Sequence, residues 1–176
     1  MSETATGTGE DAYGGILGAF PYAVRTSDSW LFRSYAVVGG LLAAGIALLF
    51  TAALVLLIAR TTGTAGGVFT LSRSFFVVVG LLVVGPLVAP VLLVARRHRR
   101  GSPDRRYDAA LAAAGYVFVV TTYLGAVASV PPAQQQPPAG VIAPAIRLLY
   151  DLPAVAGVVP PALAAALMGL VHRLLR

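Results

Sequence analysis

Apolar residues in this chain come neither in strand-like alternation nor in a one-sided helical stripe. They come in long uncharged runs, the pattern of helices with an apolar solvent on every side. The first run spans about Tyr35 to Ala59, bracketed by Arg33 and Arg60. At ~1.5 Å per residue it reaches roughly 37 Å, enough to cross a bilayer with some tilt. The second, Phe75 to Ala95, ends abruptly in Arg96, Arg97, His98, Arg99 and Arg100. The third, about Ala109 to Val130, is the most polar and stops at Pro131 and Pro132. The last, Pro153 to about Val171, reaches roughly 28 Å and just crosses. Pro160 and Pro161 fall inside it and make it the weakest of the four, because a proline within a helix removes a backbone hydrogen bond. The predicted fold class is therefore an all-α membrane protein with four transmembrane helices at about 35–59, 75–95, 109–130 and 153–171. The alternative is three spans plus a re-entrant segment.

The stretches between the runs have their own signals. Residues 1–12 form an acidic tail rich in Ser, Thr and Gly, with no basic start of a signal peptide, and are expected to be disordered. Residues 13–34 are apolar over Tyr13 to Val24 but too short to span, and Tyr13, Phe20, Tyr22, Trp30 and Phe32 suit a segment lying at the headgroup level. Thr61 to Thr70 reads as a glycine and threonine loop, with Ser72 as the cap of the next helix. Pro86 and Pro90 predict a kink in the second span. PPAQQQPPAG (131–140) is an extended linker, and Ile142 to Asp151 a short interfacial helix with Arg147 and Asp151 one turn apart.

Composition agrees with a bilayer as the main solvent: 57 % of residues are hydrophobic and 11 % charged. With no cysteine, disulfides, thiolate metal sites and cysteine nucleophiles are excluded. The net charge of +6 lies in loops. Arg96, Arg97, Arg99, Arg100, Arg105 and Arg106 crowd the loop between spans two and three, against Arg60 and Arg73 in the first loop and Arg147 in the third. Positive loops are retained in the cytoplasm. That rule predicts a cell-membrane protein with both termini cytoplasmic, and Arg25, Arg33, Arg173 and Arg176 then join the same side.

Two groups of residues are candidates for contact. The six loop arginines could bind anionic lipid headgroups or a partner protein, although a topology signal alone explains them. They are not interleaved with aromatic residues, which argues against nucleic acid. Tyr116, Thr121, Thr122 and Tyr123 could line a pore or pocket, or bond between helices and back to their own carbonyls. Small residues at four-residue spacing, Gly39, Ala43 and Ala47 in span one and Gly125 with Ser129 in span three, would let helices approach closely, favouring packing within the chain. No Asp, Glu, His, Lys or Arg falls inside any predicted span, and nothing in the sequence brings Asp104, Asp108, Asp151 or His98 together. His98 and His172 have no neighbour at ligand spacing, so no metal, cofactor or catalytic residue is expected and the chain reads as a non-enzyme.

One internal similarity stands out: RSYAVVGGLL from Arg33 recurs as RSFFVVVGLL from Arg73. In consecutive, oppositely directed spans it would form an inverted single-helix repeat, although chance or local duplication within so restricted an alphabet explains it more simply. The stretches FPYAVRTSDSWLFRSYAVVGG (20–40) and FFVVVGLLVVGPLVAPVLLVARRHRR (75–100), with the acidic tail, resemble small multi-pass membrane proteins of salt-loving archaea that have no assigned function. The resemblance implies a location and no activity. The expected function is that of an accessory or scaffold subunit partnered by the bilayer and by another membrane protein or a second copy. The alternative is a small oligomeric channel or facilitator.

Overall fold

The computed structural model describes residues 15–61 and 67–175, and all of the regular structure there is helical. Six α-helices follow one another: α1 (Gly15–Thr26), α2 (Trp30–Thr61), α3 (Gly67–Arg99), α4 (Arg105–Ala128), α5 (Ala143–Tyr150) and α6 (Val159–Leu174). Short 3-10 turns at Pro132–Gln134 and Ala154–Val158 interrupt the connection from α4 to α6. Four stretches are long and apolar enough to cross a membrane: Trp30–Thr61, Leu71–Arg99, Arg105–Ala128 and Ala154–Leu174. The expected tail at 1–12 and residues 62–66 of the expected loop lie outside the described residues, while 67–70, read as loop, open α3.

The fourth span is stronger than its prolines suggested. Pro160 and Pro161 sit in the first turn of α6, where backbone N–H groups have no intrahelical acceptor, so they cost no hydrogen bond. The 3-10 turn over Ala154–Val158 supplies the remaining length. Ser72, expected as a cap, lies inside α3, which begins at Gly67. Helix α3 continues as a helix past Pro86 and Pro90 to Arg99. Arg147 and Asp151 form no ion pair, although Asp151 N–H does bond to the Arg147 carbonyl at the end of α5.

The apolar segment ahead of the first span forms helix α1 and contributes to the core. Helix α1 runs antiparallel to the first half of α2, with Phe20 against Gly40 and Val24 near Ala36. Ala19 and Ala23 are fully buried. The turn between the two helices is built by serines: Ser29 Oγ accepts from Phe32 N–H at 3.3 Å, which caps α2. Arg33 Nε donates to the Ser27 carbonyl at 2.8 Å.

The core occupies one half of the bundle. Phe32, Tyr35, Val91, Val94, Tyr107 and Leu111 fill the half that contains the arginine-rich loop. Tyr35 threads between α2, α3 and α4: its hydroxyl donates to the Leu87 carbonyl at 2.7 Å, one turn before Pro90, and its ring meets Tyr116 edge-on at 5.2 Å. Away from this core, the described residues of α2 beyond Ala43 and of α3 before Leu87 bury no apolar side chain. There they form a two-helix arm whose Phe50 packs on Gly80 and Phe76. Helix α4 closes separately on the Ala154–Val158 turn that leads into α6, at Gly125 against Gly157. An apolar cleft of about 450 Å³ opens between α2, α3 and α4, lined by Leu42, Ile46, Leu87, Val119 and Tyr123 among others.

The repeat beginning at Arg33 and Arg73 thus sits in unlike surroundings, since Tyr35 is fully buried and its counterpart Phe75 is 66 % exposed. The two arginines do share a role. Arg73 Nη2 donates to Thr61 Oγ1 at 2.6 Å and lies 3.4 Å from the Thr61 carbonyl, reaching back to the end of α2 as Arg33 reaches back to the end of α1.

Candidate functional site

The polar chemistry of the described residues concentrates where the α1–α2 turn, the end of α3, the start of α4 and the end of α6 meet. Asp104 begins α4: it has extended backbone and its Oδ1 accepts from Arg106 N–H at 2.9 Å, an N-cap that starts the helix earlier than its apolar run. Asp108 follows one turn later. As an acid in the first turn it is favoured by the helix dipole, yet it points inward and is 1 % exposed.

Two groups close around that carboxylate. Ser27 Oγ donates to Oδ2 at 2.6 Å, and His98 Nε2 lies 2.9 Å from the same oxygen. His98 is itself only 5 % exposed. Gly101, with a φ of 75°, gives the tight α3–α4 turn that brings residues 98 and 108 together. Among the described residues Asp108 Oδ1 has no partner. The expectation that no ionisable group enters a span is corrected here. Helix α4 starts at Arg105, so Asp108 lies inside it, and His98 has a carboxylate partner after all.

A serine, a histidine and an aspartate in contact suggest hydrolase chemistry, but the wiring differs. In a nucleophilic triad the histidine stands between the other two and takes the serine proton. Here the aspartate is the hub, Ser27 gives its hydrogen bond to a carboxylate, and both are closed off from substrate. The arrangement fastens three segments and activates no nucleophile.

A second network lies beside it. Arg97 is held by Asp104 at 3.6 Å, by the Ser102 carbonyl at 3.0 Å and by the Leu175 carbonyl, and its guanidinium sits 4.2 Å over the Tyr107 ring. Tyr107 Oη is 2.7 Å from His172 Nδ1 at the end of α6. Next to these residues is a cavity of about 310 Å³ lined by Leu93, Arg96, Arg97, Arg100, Ser102, Tyr107 and His172. Among the described residues no carboxylate lines it.

The six arginines singled out from the sequence therefore part company. Arg97 is structural, Arg96 and Arg100 line the cavity, and Arg99, Arg105 and Arg106 lie outside its lining. The hydroxyl group of span three does not gather either. Tyr116 Oη donates to Ser34 Oγ at 3.0 Å, and Thr121 and Thr122 bond back to the Val117 and Phe118 carbonyls. Tyr123 is 68 % exposed, and with Thr122 it lines the apolar cleft beside α2 and α3. Gly125 and Ser129 face the chain's own Ala154–Val158 turn, where Ser129 Oγ donates to the Ala154 carbonyl at 3.0 Å. Among the described residues no three His, Asp or Glu side chains gather closely enough to hold a metal ion.

A family described as a domain of unknown function (DUF8056) matches the chain over residues 1–176. The chain belongs to that family. No curated protein and no solved structure matches it. For this DUF8056 member, then, the site stands on its own geometry. Sequence reasoning passed over Ser27 and Tyr107, and it left Asp108, His98 and His172 without partners. The one available signal was the short RRHRRGSPDRRYD connection, whose glycine and N-cap aspartate allow an antiparallel helical hairpin that pairs residue 98 with residue 108.

Proposed function

We propose that this protein is a non-enzymatic accessory or scaffold subunit of the cell membrane, with its arginine end and both chain ends facing the cytoplasm. The observation that carries the reading is the use of its ionisable groups. Asp108, His98, Asp104 and Arg97 are engaged with one another at the helix ends, tying segments together instead of facing a substrate. What is left to act on other molecules is surface: a helical arm in which the α2 window is only 6 % buried, and a rim of arginines. The start of α2 and the end of α6 share the arginine end, so the positive-inside rule acts on them together. The channel reading gains nothing from span three, whose threonine hydroxyls return to their own helix.

The test is crosslinking and affinity purification from native membranes, with the single substitutions Ser102→Cys and Gln135→Cys reporting sidedness in this cysteine-free chain. A reproducible membrane partner or a defined homo-oligomer is expected, with the thiol of Ser102→Cys labelled only from the cytoplasmic side and that of Gln135→Cys only from the opposite one. A chain that stays monomeric and partnerless, or whose Ser102→Cys variant labels from outside, would refute the proposal.

A further inference from the structure

The cavity at the arginine end has the chemistry of a phosphate site, and we propose that it binds the phosphate of an anionic phospholipid headgroup. Three observations lead there. First, Arg96, Arg97 and Arg100 supply guanidinium groups to one cavity of about 310 Å³ that no carboxylate lines among the described residues, so its lining is net positive even with Arg97 paired to Asp104. Second, of these three, Arg97 is already occupied by Asp104 and backbone carbonyls. The guanidinium groups of Arg96 and Arg100 have no hydrogen bond or ion pair among the described residues, so their donors are available. Third, the cavity spans two environments. Leu93, one turn toward the apolar run, lines it together with Ser102, which lies beyond the helix end. A site spanning the last apolar turn and the first basic one is at the depth of lipid phosphates, and basic pockets between transmembrane helices are where anionic headgroups are held.

Tyr107 and His172 form the wall of the site and fix its position. The contact of Tyr107 Oη with His172 Nδ1 couples α4 to α6, so a lipid seated there touches both helices and the end of α3. This goes beyond a diffuse attraction of six arginines to a charged surface, because it separates two of them from the rest.

The test uses the full-length protein in vesicles of phosphatidylcholine alone or of equal parts phosphatidylcholine and phosphatidylglycerol, followed by native mass spectrometry of the lipid retained after mild detergent extraction. Wild type should retain phosphatidylglycerol selectively. Arg96→Gln with Arg100→Gln should cut retention by about thirtyfold, as expected for two arginines near an anionic headgroup. Arg105→Gln with Arg106→Gln carries the same charge change outside the cavity and should cut it by no more than about threefold, since solvent screens it. Arg96→Lys with Arg100→Lys should restore most of the retention while keeping the charge. A second arm measures thermal unfolding in detergent with inorganic phosphate against chloride at equal ionic strength. Protection by inorganic phosphate that phosphatidylglycerol does not displace would identify a free anion as the ligand and overturn the lipid assignment. Equal losses in the two double variants, or no selectivity in wild type, would overturn the site itself. Unfolding midpoints of the variants within a few degrees of wild type exclude misfolding, since both side chains are exposed.

Discussion

Removing the His98 imidazole should be among the most damaging single changes outside the apolar core. In His98→Ala, Asp108, 1 % exposed in the wild type, keeps one hydrogen bond, from Ser27, and loses its imidazole partner at 2.9 Å. Its second oxygen already has no partner among the described residues, so nothing local replaces the loss. Breaking a buried pair by deleting one member costs about 3–5 kcal/mol. At roughly 2–4 °C per kcal/mol for a chain of this size, the unfolding midpoint should fall by about 6–20 °C. Ser27→Ala removes one hydrogen bond to a charged group, about 1.5–3 kcal/mol, and should lower the midpoint less. Asp108→Asn keeps an acceptor for Ser27 and should be milder than Asp108→Ala. Because Ser27 and His98 share one oxygen, the double variant should depart from additivity by about 0.5–3 kcal/mol. Trp30 is the only tryptophan and stands three residues after Ser27, so its fluorescence in detergent reports the melting of this corner. Midpoints within about 2 °C of wild type for both His98→Ala and Ser27→Ala would refute the view that this carboxylate fastens the bundle.

Three further outcomes follow from the packing. Gly125→Ala would drive a methyl group into the Gly157 carbonyl, well inside van der Waals contact; a cost of about 1–3 kcal/mol is expected, read as a lower unfolding midpoint in detergent, whereas Gly45→Ala, with open space around it, should be neutral. Tyr35→Phe should cost about 0.5–1.5 kcal/mol through the lost bond to the Leu87 carbonyl, measured by the same melt. Arg73→Ala should leave the core melt unchanged and loosen the far end of the α2–α3 arm, seen as faster proteolysis or hydrogen exchange near Thr61.

The spans were legible because a bilayer imposes one coarse rule, about twenty apolar residues per crossing, and the four runs obey it. The close approach at Gly125 and Ser129 was legible for a similar reason: only small residues let helices come that near. What escaped depended on three-dimensional proximity. The packing of helix α1 is one case: its length forbids spanning, but length says nothing about whether the alanines at 19 and 23 find a neighbour. Asp108 looked like a loop residue because hydropathy begins a span at its first apolar residue, whereas the Asp104 cap begins the helix a turn sooner. Pro160 and Pro161 looked disruptive because a proline's effect depends on its place within the helix, and that place was set by a 3-10 turn with no clear sequence mark.

The seat of Tyr35 has a consequence for how the family can diverge. A methyl group on Gly115 would lie 2.7 Å from the Tyr35 hydroxyl oxygen, and one on Gly39 would lie 3.0 Å from its ring. The three positions therefore cannot drift separately: a large ring at 35 obliges small residues at 39 and 115, and a shrunken side chain at 35 would leave a void that larger ones there could fill. Across DUF8056 chains, residue volume at position 35 should run opposite to the combined volume at 39 and 115, so these sites should be inherited as one unit.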